Sequence, residues 1–393
     1  MPKLFSPGMQ VFYSLVLGVL LSTIACSSKQ QLEGTGNMAD VEAREDSLEL
    51  IAAYKRQELI RLEVRADVET KAVLAGIEED AADDPALWIN HQRPSESMII
   101  GSNKRGGIAT YDLGGKELAY YPVGNINNVD VAYGIWVGDK TIDLVGGSNR
   151  SDQSIDLFWV DPETRYLNDV SARPFLMDPT LMDDVYGFCF YQSPKDSATY
   201  VMINAKNGRF QQYLVQPDEN GLIDLKIVRD IKFDSQVEGM VADNHYGVLY
   251  IGEENRGVWK MSAEPDGSEE RQLIPMTDES NPNIAFDVEG LTLYTQGVEG
   301  FLIVSSQGNF SYAVFDRRGD NPYLFSFKIM AGDGIDGVEE TDGIQAVSDS
   351  LSKTFPQGLF IAQDGFNYQG DSLAAQNFKV VRWEKIAALL ERY

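Results

Sequence analysis

A strand-and-turn unit returns along this chain at long, even intervals, and that period constrains the fold more than any other feature. Ile108 to Tyr111 runs into Asp112-Leu113-Gly114-Gly115, Ile155 to Val160 into Asp161-Pro162, and Phe210 to Val215 into Gln216-Pro217-Asp218. The pattern continues with Gly257 to Met261 before Ala263-Glu264-Pro265-Asp266-Gly267, Tyr312 to Phe315 before Asp316-Arg317-Arg318-Gly319, and Phe378 to Trp383. Runs of β-branched and aromatic residues broken by Gly, Asp, Asn and Pro read as short strands joined by turns. The spacing is on the order of 50 residues, close to one four-stranded propeller blade, and six such units fit between residue 64 and the end. A sandwich would explain the strands but not a period held over about 320 residues. The expected fold is all-β, a six-bladed β-propeller over residues 64–393.

What precedes it reads differently. Lys3, the apolar run from Val11 to Leu21, and Ser22-Thr23-Ile24-Ala25-Cys26 have the layout of a signal peptide ending before a cysteine. Residues 1–25 are therefore expected to be a lipoprotein signal, with Cys26 as the lipidation site, although Thr23 stands where such signals usually carry Leu. That predicts an exported, lipid-anchored protein, periplasmic or at the outer membrane or cell surface. Residues 26–63 are expected to be a tether with a short helix, since Leu48, Ile51, Ala52, Leu59 and Leu62 fall near helical spacing. With Cys26 lipidated, Cys189 alone remains, so no internal disulfide is expected. Its aromatic surroundings, Tyr186 to Tyr191, suit a buried apolar filler better than a nucleophile.

Charge narrows the chemistry. Sixty acidic against 33 basic residues give a net charge of -27, which argues against nucleic acid as a partner and favours cations. Two histidines, His91 and His245, are too few for histidine-based phosphatases or multi-histidine metal centres. The carboxylates instead gather in turns and at strand ends: Asp83-Asp84-Pro85, Asp130, Glu238-Gly239, Glu253-Glu254, Asp287-Val288-Glu289-Gly290, Asp336 and Asp342-Gly343. Each alone has an ordinary reading as turn chemistry or a charged strand edge. Converging, they would need a compensating ion, because two like charges about 4 Å apart repel by roughly 4 kcal/mol at an effective dielectric near 20. Oxygen donors in flexible loops without histidine or cysteine suit Ca²⁺ better than Mg²⁺. Basic residues also sit in turns, at Lys104-Arg105-Gly106-Gly107, Asn149-Arg150-Ser151 and Lys206-Asn207-Gly208-Arg209. Taken singly they could simply offset an acidic surface. Together with the acidic turns they suit binding of metal ions and phosphate at one end of the propeller.

These motifs, in register over more than 300 residues, resemble the bacterial β-propeller phytases. The matching stretches include Ala82-Asp83-Asp84-Pro85-Ala86-Leu87-Trp88, Asn127-Asn128-Val129-Asp130, Val185-Tyr186-Gly187-Phe188, Glu238-Gly239-Met240-Val241-Ala242-Asp243, Ser305-Ser306-Gln307-Gly308-Asn309 and Gln376-Asn377-Phe378-Lys379. The resemblance implies a calcium-dependent 3-phytase acting on inositol hexakisphosphate, as its calcium complex, with water activated by metal attacking phosphorus. It implies several calcium ions held by Asp83, Asp84, Glu238, Glu254, Asp287 and Glu289, with Gln307 and the Val129 carbonyl nearby. Glu238, Glu254, Asp287 and Tyr186 would act in catalysis, and Lys104, Arg105, Arg150 and Lys206 would hold phosphates. Asp336, Asp342 and Asn367 would contribute to a peripheral structural calcium site. There the chain departs from its relatives: Gln363-Asp364-Gly365-Phe366-Asn367-Tyr368-Gln369 has Phe366 and Gln369 where acidic residues are usual, so that site is expected to be weakened or lost. A monomer is expected. A non-catalytic propeller binding anions or a protein, and another calcium-dependent propeller hydrolase such as a lactonase, are the alternatives.

Overall fold

The structure is a computed structural model, which describes residues 38–77 and 79–392; the segment expected to be a signal peptide and Cys26 lie outside the described residues. Six sheets of four or five strands make the six blades. Blade 1 runs through Ala82–Trp88, Met98–Asn103, Gly107–Asp112 and Glu117–Tyr121, and blade 2 begins with the long strand Ile126–Val137. Blades 3 to 6 have innermost strands Val185–Gln192, Val237–Asp243, Val288–Gln296 and Ile344–Val347. Each innermost strand touches the next around the ring, and that of blade 6 touches that of blade 1. The recurring hydrophobic run in the sequence is in every case the third strand of a blade: Gly107–Asp112, Ser154–Val160, Arg209–Pro217, Gly257–Ser262, Ser311–Asp316 and Asn377–Arg382.

Apolar side chains fill the gaps between blades. Six buried clusters form, each joining two neighbours; Phe188, Phe190, Leu144 and Leu157 belong to that between blades 2 and 3, and Tyr111, Phe355, Ile361 and Phe378 to that between blades 6 and 1. A sheet buried on both faces needs apolar residues on both, which is why second strands such as Met98–Asn103 and Thr199–Ala205 are buried at every position. The ring is closed by the N-terminal side of the chain. Val68–Glu69 adds an antiparallel outer strand to blade 6 against Lys379–Val380, and Leu62–Val64 adds a parallel one to blade 5 against Phe327–Ile329.

The expected helix forms within residues 26–63: α1 spans Met38–Gln57, so Leu59 and Leu62 of the helical pattern lie beyond its end. It lies against the 3-10 turn Gln307–Asn309 of blade 5, with the Tyr54 ring edge-on to Phe310 at 5.1 Å and Gln57 Nε2 donating to the Phe310 carbonyl at 3.3 Å. The C-terminal helix α2, Trp383–Leu390, packs on blades 5 and 6, its Trp383 stacked on Tyr294. No helix among the described residues is long and apolar enough to cross a membrane.

Candidate metal and phosphate site

The innermost strands of blades 1 to 5 start irregularly, and the site is built largely from that irregularity. In blade 1 the pairing jumps from Ala82 to Pro85, in blade 2 from Ile126 to Val129, and in blade 3 from Val185 to Phe188. Blades 4 and 5 jump from Val237 to Met240 and from Val288 to Leu291. A bulge releases residues from the ladder and re-aims their side chains. Those released are Asp83-Asp84, Asn127-Asn128, Tyr186-Gly187, Glu238-Gly239 and Glu289-Gly290. Asp342-Gly343 holds the same place in blade 6, just before its inner strand begins at Ile344. The glycines allow the blades to meet here: a β-carbon on Gly187 would overlap the Glu238 carbonyl, and one on Gly239 the Glu289 carbonyl.

The released side chains converge. Glu238, Glu254 and Glu289 are all buried, and one carboxylate oxygen from each lies within 4.8 Å of the others. Glu254 follows the second strand of blade 4, and its main-chain oxygen accepts from Val288 at 3.0 Å, tying blade 4 to blade 5. Asp287, half-buried, leads into the inner strand of blade 5, and its carbonyl accepts from the Gln307 amide at 3.0 Å. The Gln307 side chain donates to Asp342 Oδ1 at 2.6 Å. Asp84 Oδ2 accepts from the Val129 amide at 3.1 Å, and both residues line a cavity on the propeller axis to which all six blades contribute.

Burial and mutual repulsion set the protonation of this cluster. Burial first, then neighbouring carboxylates, pushes Glu289 and Asp84 well above the ordinary carboxylate range. Burial likewise raises Asp83 and Asp287, and with Glu238 lifts Glu254 to about 7. Asp342 is pushed up to about 6 by burial although Lys104 pulls it down. Glu289 Oε2 and Asp83 Oδ1 are buried without a hydrogen-bond partner. The convergent oxygens of Glu238, Glu254 and Glu289, with an unpartnered oxygen on Glu289 and no histidine or cysteine among them, fit a hard divalent cation.

Cations of the protein flank the cluster. Lys104 Nζ lies 2.9 Å from Asp80, 3.2 Å from Asp83 and 2.8 Å from Asp342, so blades 1 and 6 meet on one ammonium. Burial alone would lower its pKa, but the three carboxylates raise it and hold the charge. Arg105 beside it is exposed, its Nε donating to the Asp80 carbonyl at 3.1 Å. Across the ring, the Lys206 ammonium sits 4.6 Å from the centre of the Tyr186 ring, and the Arg150 guanidinium 5.7 Å from it. Arg150 is held by Asp184, whose Oδ1 accepts from Nε at 3.1 Å and from Gln153 at 3.2 Å. Burial and the charges of Glu238 and Glu289 push the Tyr186 hydroxyl far up, so it remains a proton donor.

The expected peripheral site needs correcting. Asp342 does not join Asp336 and Asn367; it belongs to the central cluster with Lys104 and Gln307. Asp336 and Asn367 converge instead on Lys379, whose fully buried Nζ lies 2.5 Å from Asp336, 2.8 Å from Glu69, 3.3 Å from Asp364 and 3.1 Å from Asn367 Oδ1. An ammonium already stands among those oxygens. Sequence reading also missed Asp80, Asp184 and Gln236, the last of which bonds Glu254. It quoted Asn127 only within a matching stretch and gave it no role, although Asn127 occupies the same place in the repeat as Asp83, Tyr186, Glu238, Glu289 and Asp342.

Comparison with known proteins places the chain in a family. The family described as phytase matches residues 41–393. The 3-phytase of Bacillus subtilis (strain 168) is 39% identical over 340 residues, which are 86% of this chain and 88% of that protein. Among solved structures, the β-propeller domain of Myceliophteria thermophila Cps50 (Swd1) is 11% identical with a TM-score of 0.42, covering 76% of this chain and 82% of that one. BBS1N, crystallised in complex with ARL6DN, is 12% identical with a TM-score of 0.43, covering 81% and 98%. With a family match across nearly the whole chain and a curated relative at this identity, the chain belongs to the phytase family and is a hydrolase of phosphoric monoesters.

Proposed function

We propose that this enzyme removes phosphate from inositol hexakisphosphate with calcium held at the bulge ring, taking the substrate as its calcium complex. One observation carries the reading. The buried, oxygen-only triad Glu238, Glu254 and Glu289 lies beside an arc of cations and a protonated phenol at Arg150, Lys206 and Tyr186. Carboxylates on bulges and loops, with the neutral oxygens of Gln307 and Val129 at hand, suit the larger, more adaptable coordination shell of Ca²⁺. Asp83, Asp84, Glu238, Glu254, Asp287, Glu289 and Asp342 would hold the ions. Bound there, calcium would neutralise phosphate oxygens and make water a competent nucleophile near neutral pH.

The chain's own groups do the rest. Arg150, its fork fixed by Asp184, and Lys206 grip phosphate oxygens from the side of blades 2 and 3. Tyr186 offers a hydroxyl that stays protonated and donates a hydrogen bond where charge develops. Lys104 holds Asp83 and Asp342 together until substrate phosphate competes for its ammonium, and Arg105 reaches a neighbouring phosphate from the rim. The dense negative charge of the substrate matches these cations better than a neutral ester would. Upstream, residues 1–26 are proposed to export the enzyme and tether a monomer by lipid at Cys26, facing the periplasm or the cell exterior. Radiolabelled fatty acid incorporation lost on Cys26→Ser would support the anchor.

The test is phosphate release from phytate by the soluble protein lacking residues 1–26. Chelation should abolish it, calcium should restore it and magnesium should not. Glu238→Gln and Lys104→Ala should each cost at least tenfold; full activity in both would sink the site assignment.

A further inference from the structure

Five of the six ring positions carry groups expected to touch metal or phosphate, and the sixth carries Asn127. Its side chain is completely buried and lies between the two halves of the site. Nδ2 donates to Glu238 Oε1 at 2.9 Å and to Asn128 Oδ1 at 2.9 Å, while Oδ1 faces the Arg150 guanidinium at 3.4 Å. The amide can sit only this way round. Both partners on one side are oxygens that accept, and the partner on the other side can only donate. Arg150 is fixed from behind by Asp184, so a continuous path runs Asp184, Arg150, Asn127, Glu238.

We infer that Asn127 is a positioning residue that couples the cation-holding carboxylate Glu238 to the phosphate-holding Arg150, an inference that rests on the reading of the site given above. Glu238 accepts from Asn127 at Oε1, and a carboxylate oxygen of Glu238 lies within 4.8 Å of one on Glu254 and one on Glu289, so the Asn127 bond restrains the carboxylate that faces them. Arg150 gains a second fixed point beyond Asp184, so its fork keeps one orientation toward the substrate. Groups that orient a metal ligand or a guanidinium in this way are worth roughly 10- to 100-fold in metal affinity or activity when removed.

Two substitutions separate the arms. Asn127→Ala removes both contacts, and calorimetric titration of the substrate-free enzyme with calcium should show affinity lowered by about tenfold, with kcat reduced and KM raised. Asn127→Asp keeps the size and an oxygen facing Arg150 but loses the donor to Glu238. It should lower kcat by about tenfold while binding of inorganic phosphate, measured in calcium, stays within about threefold of the parent. The double variant Asn127→Ala with Arg150→Ala should lose less than the product of the single losses, because the two share one interaction. Should Asn127→Ala fail to fold, the aspartate variant decides alone. Calcium affinity and kcat within twofold of the parent in a folded variant, or strictly multiplicative losses in the double variant, would overturn the coupling. Glu238→Gln and Arg150→Ala run in parallel; if they too leave calcium binding and turnover intact, the site reading fails, and if they alone do damage, only the role of Asn127 fails.

Discussion

Lys379 offers the sharpest energetic test, because a single buried ammonium serves several carboxylates. Replacing it by methionine keeps the volume and removes the charge. Asp336, Asp364 and Glu69 then lose the cation 2.5 to 3.3 Å away, and Glu339, already pushed well up by burial and by Asp364 and Asp336, loses the attraction of Lys379. Removing one partner of a buried ion pair costs about 3–5 kcal/mol, since the remaining charge is left uncompensated. With an unfolding entropy of about 2.1 cal/mol/K per residue, a domain of roughly 330 residues has ~0.7 kcal/mol/K, so Lys379→Met should lower Tm by about 4–7 °C. Thermal unfolding followed by circular dichroism in chelator measures it directly. The variant leaves an oxygen-rich pocket without its resident charge, so added calcium should raise its Tm by more than it raises that of the parent. A Tm within 1 °C of the parent's, with equal calcium shifts in both, would refute the view that Lys379 does there what a metal ion does elsewhere.

Calcium binding should weaken as pH falls through about 7 to 6, because Glu254 and Asp342 then hold protons that the ion must displace. Calorimetry in buffers of different ionisation enthalpy should detect more protons released at pH 6 than at pH 8. The sign for folding is opposite: carboxyls whose pKa is raised in the folded state favour it at low pH and disfavour it once pH passes their folded values. The metal-free enzyme should therefore melt lower at pH 8 than at pH 5.5, and calcium should close the gap. Gly239→Ala places a methyl against the Glu289 carbonyl, so it should destabilise by about 1–3 kcal/mol and, through displacement of the bulge, cut turnover by about 100-fold. Arg317→Met strands Asp243, which Arg317 grips through Nε and a terminal nitrogen at 2.6 Å each; it should cost about 3–5 kcal/mol in urea unfolding while leaving KM unchanged.

The fold was legible because its signal is periodic. Third strands such as Phe210 to Val215 lie between two buried faces and end in tight turns, so hydrophobic runs and turn residues mark them in the sequence. The closing strands were not legible: Val68–Glu69 is two residues long and gains its place only from Lys379 and Val380, more than 300 positions away. Nor did α1 announce its contacts, since its docking depends on Phe310 and the turn at Gln307, which no local pattern connects with Tyr54.

The candidate site was half legible for a related reason. Carboxylates in turns stand out by charge, so Glu238, Glu289 and Asp342 could be picked from the sequence. Their convergence comes from where each bulge falls in its strand, and a bulge is a property of pairing between strands. Asn127 carries no charge, and in a run of polar residues it looks like part of a turn. Only when the blades are aligned by the start of regular pairing in their inner strands does it fall into line with Asp83, Tyr186, Glu238, Glu289 and Asp342. Charge also misled at Asp336, where the deciding group is a cation, Lys379, buried in a strand that reads as core. The two clusters differ in what the fold sets against their carboxylates. At Glu238, Glu254 and Glu289 it brings three carboxylates together and leaves Glu289 Oε2 without a hydrogen-bond partner; at Asp336 and Asp364 it supplies Lys379.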